Sequence, residues 1–215
     1  MAINLEVCKN CRNCRKVGEK LFLKGAKCRT AKCPIEQGLP TPGQHGKKAD
    51  AKKLSEYGKQ LQEKQKAKLM YGMLEAQFKR FFEKASKFKG STGENLISLL
   101  ERRLDNVIFR LKMAFSRDQA RQLIVHGHIN VNGKRVKTPS YLVKQGDIIT
   151  LSQRALGKTV FIETIVDKRI NIGIKVPDWL ELDKKDRKGI VLRLPIRSDI
   201  AVPIEERLIV ELYSK

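Results

Sequence analysis

All five cysteines of this chain fall within its first 33 residues, at Cys8, Cys11, Cys14, Cys28 and Cys33. Their spacing is C-x2-C-x2-C-x13-C-x4-C. Two close pairs separated by a loop of this size suit a tetrahedral zinc ion held by four thiolates. Such a metal would order a segment too poor in apolar residues to fold alone. The run C-x2-C-x2-C also fits iron–sulfur ligation, which makes a cluster the second choice. A catalytic zinc keeps an open position, so a full set of four thiolates points to structure. An odd count in a chain that opens without a signal-peptide pattern weighs against disulfides. Four ligands must come from five: Cys14, Cys28 and Cys33 with Cys11, or Cys8 and Cys11 as the first pair with Cys14 spare.

The second chemistry is the binding of a polyanion. Ser116–Val136 reads SRDQARQLIVHGHINVNGKRV. Ser116-x-x-Gln119 is the pattern of a capping box at a helix start. Ala120, Leu123 and Ile124 form an apolar face, and Gly127 is placed to stop the helix. Ile129 and Val131 alternate as in a strand, and Asn132-Gly133 is a two-residue hairpin turn. The polar side offers Arg117, Arg121, Gln122, His126, His128, Asn132, Lys134 and Arg135. Donors fixed on a helix, a turn and a hairpin suit phosphates and sugar hydroxyls. Further candidates are Gln44, His45, Lys47 and Lys48 in the Pro- and Gly-rich stretch 34–51, Lys64, Lys66 and Lys68 on a polar helix, and Arg102 and Arg103.

The charge supports this reading. The chain carries 45 Lys and Arg against 23 Asp and Glu, a formal charge of +22 over 215 residues. The first 90 residues hold 22 of these cations and 8 of the anions. A surplus of this size implies a polyanionic partner, foremost nucleic acid. No apolar run reaches the ~18 residues needed to span a bilayer, so no membrane partner is expected. The P-loop, zinc-protease and nucleophile-elbow motifs are missing, and the expectation is a binding protein rather than an enzyme.

The elements that must position these groups follow from periodicity. A polar helix is predicted over 52–71, and a second over 73–87 with a core stripe of Leu74, Phe78, Phe81, Phe82 and Ala85. A third should start at a Ser91-x-x-Glu94 cap and run to about Leu111. It would bury Leu96, Leu100, Leu104, Val107, Ile108 and Leu111 and leave Arg102, Arg103 and Arg110 to solvent or ligand. Gly146-Asp147 leads into a strand at Ile148–Leu151. Short β-branched runs in 158–176 suggest further strands. Trp179 is a packing anchor, and the segments flanking Asp183–Lys188 pair as a hairpin. The tail Pro203–Tyr213 reads as a final helix with Pro203 at its first position.

These residues resemble the bacterial-type ribosomal protein S-four family. The likeness runs over nearly the whole chain. It includes the Cys-rich start, Pro42-Gly43-Gln44-His45-Gly46, Glu63-Lys64-Gln65-Lys66, Tyr71-Gly72, Glu75-x-Gln77-Phe78 and Leu104-Asp105-Asn106-Val107. Ser116-Arg117-x-Gln119-Ala120-Arg121-Gln122-Leu123, His126-Gly127-His128-Ile129, Val131-Asn132-Gly133, Leu192-Arg193-Leu194-Pro195 and Tyr213-Ser214 complete it. The resemblance implies an α+β fold. A metal-bound basic arm would occupy 1–50. A helical domain would occupy 51–97, with 196–215 packed back on it. An RNA-binding domain would occupy 98–195, its helix-turn-hairpin module at about 102–151. It implies a structural constituent of the small ribosomal subunit that binds rRNA early in assembly and influences decoding accuracy. The neighbour S-five and mRNA are implied contacts, and some relatives repress their own operon. The implied location is the cytoplasm, on the ribosome; a plastid source fits equally. It aligns the metal ligands with Cys11, Cys14, Cys28 and Cys33, leaving Cys8 extra. The competing functions are an RNA-modifying enzyme built on the same module and a redox- or metal-responsive regulator.

Overall fold

The apolar spacing of the first hundred residues folds as helices. The computed structural model describes residues 9–44, 46, 54–157, 159, 162–171, 175–200 and 203–214. In it α1 spans Lys9–Val17, α2 Glu56–Met70, α3 Glu75–Ala85 and α4 Thr92–Glu101. The start of α2 is fixed by Ser55, whose hydroxyl accepts from the Gly58 amide at 3.2 Å. Phe78 and Ala85 of α3 are buried completely, and Phe81 and Phe82 pack at the same core's edge. Their aromatic rings therefore serve packing. Leu74, assigned above to this stripe, is instead 80% exposed, because it is the capping position and lies outside the helical face. The tail returns as a helix over Glu206–Tyr213, the last of the chain. It begins three residues after Pro203 and seats Ile209 in this core. Tyr213 stacks on Phe82 at 4.5 Å between ring centres.

The single helix expected to reach Leu111 is broken in two. Its apolar face is buried as expected, with Leu96, Leu100, Leu104, Val107, Ile108 and Leu111 all inaccessible. Yet α4 ends at Glu101 and α5 spans Leu104–Arg110. The backbone at the break bonds outward. The Arg102 carbonyl accepts from Val143 N at 3.0 Å, and Leu104 N donates to the Tyr141 carbonyl at 2.9 Å. Those bonds replace the helical ladder. At the start of α4, Ser91 occupies the cap position without a side-chain cap bond.

The second core lies between α5, α6 (Arg117–Val125) and an antiparallel sheet. Its strands are β1 (Ile129–Val131), β2 (Lys134–Arg135), β3 (Ile148–Leu151), β4 (Leu180–Asp183) and β5 (Lys188–Val191). They are ordered β2-β1-β3-β5-β4. Ile129 faces Leu151 and Val131 faces Ile149, so one sheet face is apolar. Trp179 is fully buried against it, as an anchor. Gly189 admits no side chain, because a Cβ there would stand 2.3 Å from Cδ1 of Leu111. Between β3 and β4 lie α7 (Gln153–Leu156), a π-helical turn at Ile162–Asp167 and α8 (Lys168–Asn171). The strands expected in 158–176 are therefore not formed by its described residues. Among the positions whose burial is described there, Ile162, Val166 and Arg169 are buried, which is helical spacing despite the β-branched composition.

A buried polar network joins the two cores. Glu101, at the end of α4, is 1% exposed. Its carboxylate accepts from the Tyr71 hydroxyl at 2.7 Å, the Asn106 amide at 2.7 Å, and Nε and Nη2 of Arg110 at 3.0 and 2.7 Å. Arg117 Nε donates to Asn106 Oδ1 at 2.8 Å, and its guanidinium lies 5.0 Å from the Tyr71 ring centre and 4.6 Å from that of Phe109. Arg103, 0% exposed, makes a two-point bond to Asp105 at 3.1 and 2.6 Å. Burial alone would raise the Glu101 carboxyl. Arg110, Arg117 and Tyr71 overcome it and bring the value down to about 2 from an ordinary 4.5.

A folded value below the unfolded one stabilises the protein above about pH 4.5, and that contribution is lost as pH falls towards 2. Denaturant midpoints measured across this window should fall steadily for the wild type and far less for Glu101→Gln. At neutral pH, Glu101→Gln leaves Arg110 buried without its anion and should cost about 3–5 kcal/mol. Equilibrium urea unfolding checks this, and a loss under 1 kcal/mol would show that the network is dispensable.

Candidate nucleic-acid interface

The segment Ser116–Val136 folds as a rigid helix-turn-hairpin. Ser116 Oγ accepts from Gln119 N at 3.2 Å. The return bond of the expected capping box closes one residue earlier, with Gln119 Oε1 accepting from Phe115 N at 2.8 Å. The helix ends in a left-handed residue, Gly127 at φ 70°, and His128 N donates back to the Leu123 carbonyl at 2.9 Å. Asn132 and Gly133 form the hairpin tip. Asn132 also ties that tip to β3: its amide donates to Asp147 Oδ1, and its Oδ1 accepts from Ile148 N, both at 2.9 Å.

This frame presents a basic face. Arg121, Gln122, His126, Asn132, Lys134 and Arg135 are exposed. His128 is half-buried, its ring stacked on His126 at 6.3 Å between centres. Among the described residues no ion pair holds Arg121, Lys134 or Arg135. Arg121 Nη1 reaches only the Gly72 carbonyl, at 3.4 Å. These cations are free to meet phosphates.

Other candidates are placed differently. Arg103 and Arg110 do not stand in solvent, because both are held by carboxylates at the joint between the cores. Arg117 is 9% exposed, since it sits in the first turn of α6 on the side facing α5. Lys66 is 4% exposed and lies between Glu19 at 2.8 Å and Glu63 at 3.4 Å. Lys64 and Lys68 both pair with Glu75, at 2.5 and 3.1 Å. Arg102 is half-buried, with Nε donating to the Val143 carbonyl at 3.1 Å. Gln44 is exposed, whereas His45, Lys47 and Lys48 lie outside the described residues. The exposed Lys79, Arg80, Lys84, Lys87 and Lys89, on and just after α3, went unnoticed in the sequence. The signal was present: Lys79, Arg80 and Lys84 lie between the buried positions Phe78 and Ala85, and Lys87 and Lys89 follow them.

The cysteines lie on three local elements. Cys11 and Cys14 are three residues apart on α1, Cys28 is on a 3-10 turn at Gly25–Arg29, and Cys33 follows a tight turn. All four are buried free thiols. Burial is the main effect raising the Cys14 thiol. A Leu21 amide bond opposes it, and the proximity of Cys28, Cys11 and Cys33 adds to it. The Lys24 amide donates to Cys28 Sγ at 3.3 Å. Four buried sulfurs, two of them served by backbone amides, have the donor chemistry of a soft metal site. Even so, no group of three or more His, Cys, Asp or Glu among the described residues is arranged to hold one. Cys8 lies outside the described residues. None of the described helices is long and apolar enough to cross a membrane.

Comparison with known proteins bears on both regions. A family model described as the ribosomal protein S4/S9 N-terminal domain matches residues 8–101, and one described as the S4 domain matches residues 102–149. The small ribosomal subunit protein uS4 of Thermoanaerobacter sp. (strain X514) is 54% identical over 205 residues, covering 95% of this chain and 96% of the relative. That of Acetivibrio thermocellus is 54% identical over 206 residues, covering 96% and 97%. That of Caldicellulosiruptor bescii is 55% identical over 206 residues, with the same coverage.

Proposed function

Because the chain belongs to the uS4 family of small ribosomal subunit proteins, we propose that its helix-turn-hairpin face is one clamp of an extended rRNA-binding surface. The protein is a structural, rRNA-binding constituent of the small ribosomal subunit. The observation that supports this clamp is the exposed set Arg121, Gln122, His126, Lys134 and Arg135 on a frame fixed by two turns and a hairpin. Duplex RNA displays phosphates and 2′-hydroxyls more readily than base edges, so this face reads the shape of a junction. Exposed cations of α3 extend the surface, and Lys64 and Lys68 join it where phosphate displaces Glu75. Family membership argues for early binding in assembly and for contacts with S-five and with mRNA where it enters. It likewise favours a cytoplasmic, ribosome-bound location and a non-catalytic role over an RNA-modifying or redox-sensing one. Binding of its own mRNA is a further property of the same surface.

The four cysteines constitute, on this reading, a structural metal site. Cys11, Cys14, Cys28 and Cys33 would hold zinc, with an iron–sulfur cluster as the alternative occupant. The support is their shared burial and their amide hydrogen bonds. When bound, the metal supplies a crosslink between α1 and the loop that follows it. This arm already docks on the helical core through Leu21, 0% exposed, and through the Lys66–Glu19 pair.

Filter binding to a folded small-subunit rRNA junction tests the clamp. Each phosphate contact contributes roughly 0.7–0.9 to the slope of log affinity against log salt. Combining Arg121→Gln, Lys134→Gln and Arg135→Gln should reduce that slope by roughly 2–3 without lowering the melting temperature. An unchanged slope would place the phosphate contacts elsewhere. For the metal, elemental analysis of the purified protein should give one zinc per chain and a colourless spectrum. An absorbing visible spectrum would indicate iron–sulfur. Cys28→Ser should lose the metal and make the arm sensitive to protease while the second core stays folded. A metal-free wild type with a protected arm would refute the site.

A further inference from the structure

Arg169 of α8 is a buried cation with an unmet need. It is 3% exposed, and its Nε has no hydrogen-bond partner among the described residues. A buried charge in that state is costly, and native proteins ordinarily pair it. It also sits among like charges. The Arg169 guanidinium is 5.4 Å from the Phe109 ring centre, and Arg117 is 4.6 Å from the same ring. Burial first, and then nearby Arg29, bring Arg169 down to about 10. Lys112, 7% exposed, is lowered by burial and then by Lys184 and Arg169.

These side chains line one pocket of about 200 Å³ between the arm, α5, α6 and the segment that carries α8. Seven of its lining residues are Lys or Arg and none is a carboxylate. Carboxylates outside the lining account for some of them: Lys20 pairs with Glu36, Arg110 with Glu101 and Lys175 with Asp178. Arg29, Arg117 and Arg169 have no such ion pair among the described residues. Two of those three also lie over the Phe109 ring, and Arg117, whose Nε donates to Asn106, keeps its terminal nitrogens for a ligand.

We propose that this pocket is a phosphate-binding site in which Arg169, Arg117 and Arg29 together hold one oxyanion. A guanidinium edge matches two phosphate oxygens, so several guanidinium groups lining one pocket select a phosphate over a halide. The pocket is smaller than the roughly 300–1,000 Å³ of sites for drug-sized ligands, which suits a phosphate group rather than a whole nucleotide. Phosphate there neutralises the repulsion around Arg169 and ties the arm, through Arg29, to the second core. The group comes from an RNA backbone or from a free phosphorylated compound, and the site stands whether or not the hairpin clamp does.

Calorimetric titration of the full-length, RNA-free protein with inorganic phosphate and pyrophosphate in low salt tests the proposal. Saturable binding should appear in the wild type and weaken by roughly tenfold or more in Arg169→Gln, the loss of one charge-assisted contact. Arg29→Gln, at an exposed position of the arm, should also weaken binding while leaving the thermal melt unchanged, which guards against misfolding of the first variant. If both variants bind as the wild type does, or the wild type binds no more tightly than they do, the proposal fails. Repeating the titration with rRNA junction bound separates the two sources. Competition, with a salt slope lower by roughly 0.7–0.9 in Arg169→Gln, identifies an RNA phosphate. Undiminished pyrophosphate binding to the protein–RNA complex identifies a free ligand.

Discussion

The carboxylate of Glu101 is bonded from both sides of the molecule. Tyr71 reaches it from the helical core, and Arg110 and Asn106 reach it from the core built on the sheet. No other described carboxylate has this combination of burial and partners from both cores. Isolated, such a buried anion would be strongly unfavourable. Here Asn106 is itself held by Arg117, and Arg117 lies over the rings of Tyr71 and Phe109. Moving one core relative to the other would strand several buried charges together. The relative placement of the basic faces on α3 and on the hairpin depends on this joint more than on apolar contact, which tolerates sliding.

Much of the architecture was legible because its causes are local. The hairpin tip at Asn132-Gly133, the stop at Gly127 and the β4–β5 pairing each follow from residues within a few positions of one another. Two of the misreadings share one cause, a distant partner. The break after Glu101 arises because Arg102 and Leu104 bond to residues some forty positions later. Residues 162–171 look strand-like by composition, yet their buried positions recur at helical spacing against a core assembled elsewhere. Leu74 falls within an apolar stripe by count, but as the cap residue it stands one position before the helix.

The same distinction divides the cations. Sequence marks Arg117 and Arg121 as equivalent members of one basic helix. Their separation by four positions places them near one another along the helix, but the first-turn Arg117 is buried against Asn106 of α5 while Arg121 is exposed. Arg103, Arg110 and Lys66 likewise spend their charge inside the protein. A formal charge of +22 therefore overstates what any partner meets at the surface. The cysteines stand out as a group by spacing, and the structure buries Cys11, Cys14, Cys28 and Cys33.

The backbone stitch between Arg102–Asp105 and Pro139–Val143 closes the leading edge of the second core with its own residues. Nothing in that closure uses a side chain from the preceding helices. At the splice the second core thus satisfies its own backbone. What makes it specific to this chain is the polar joint one residue upstream. A lineage that changed Tyr71 and Glu101 would have to change Arg110 and Asn106 with them, and could then reset the angle at which the second core is carried.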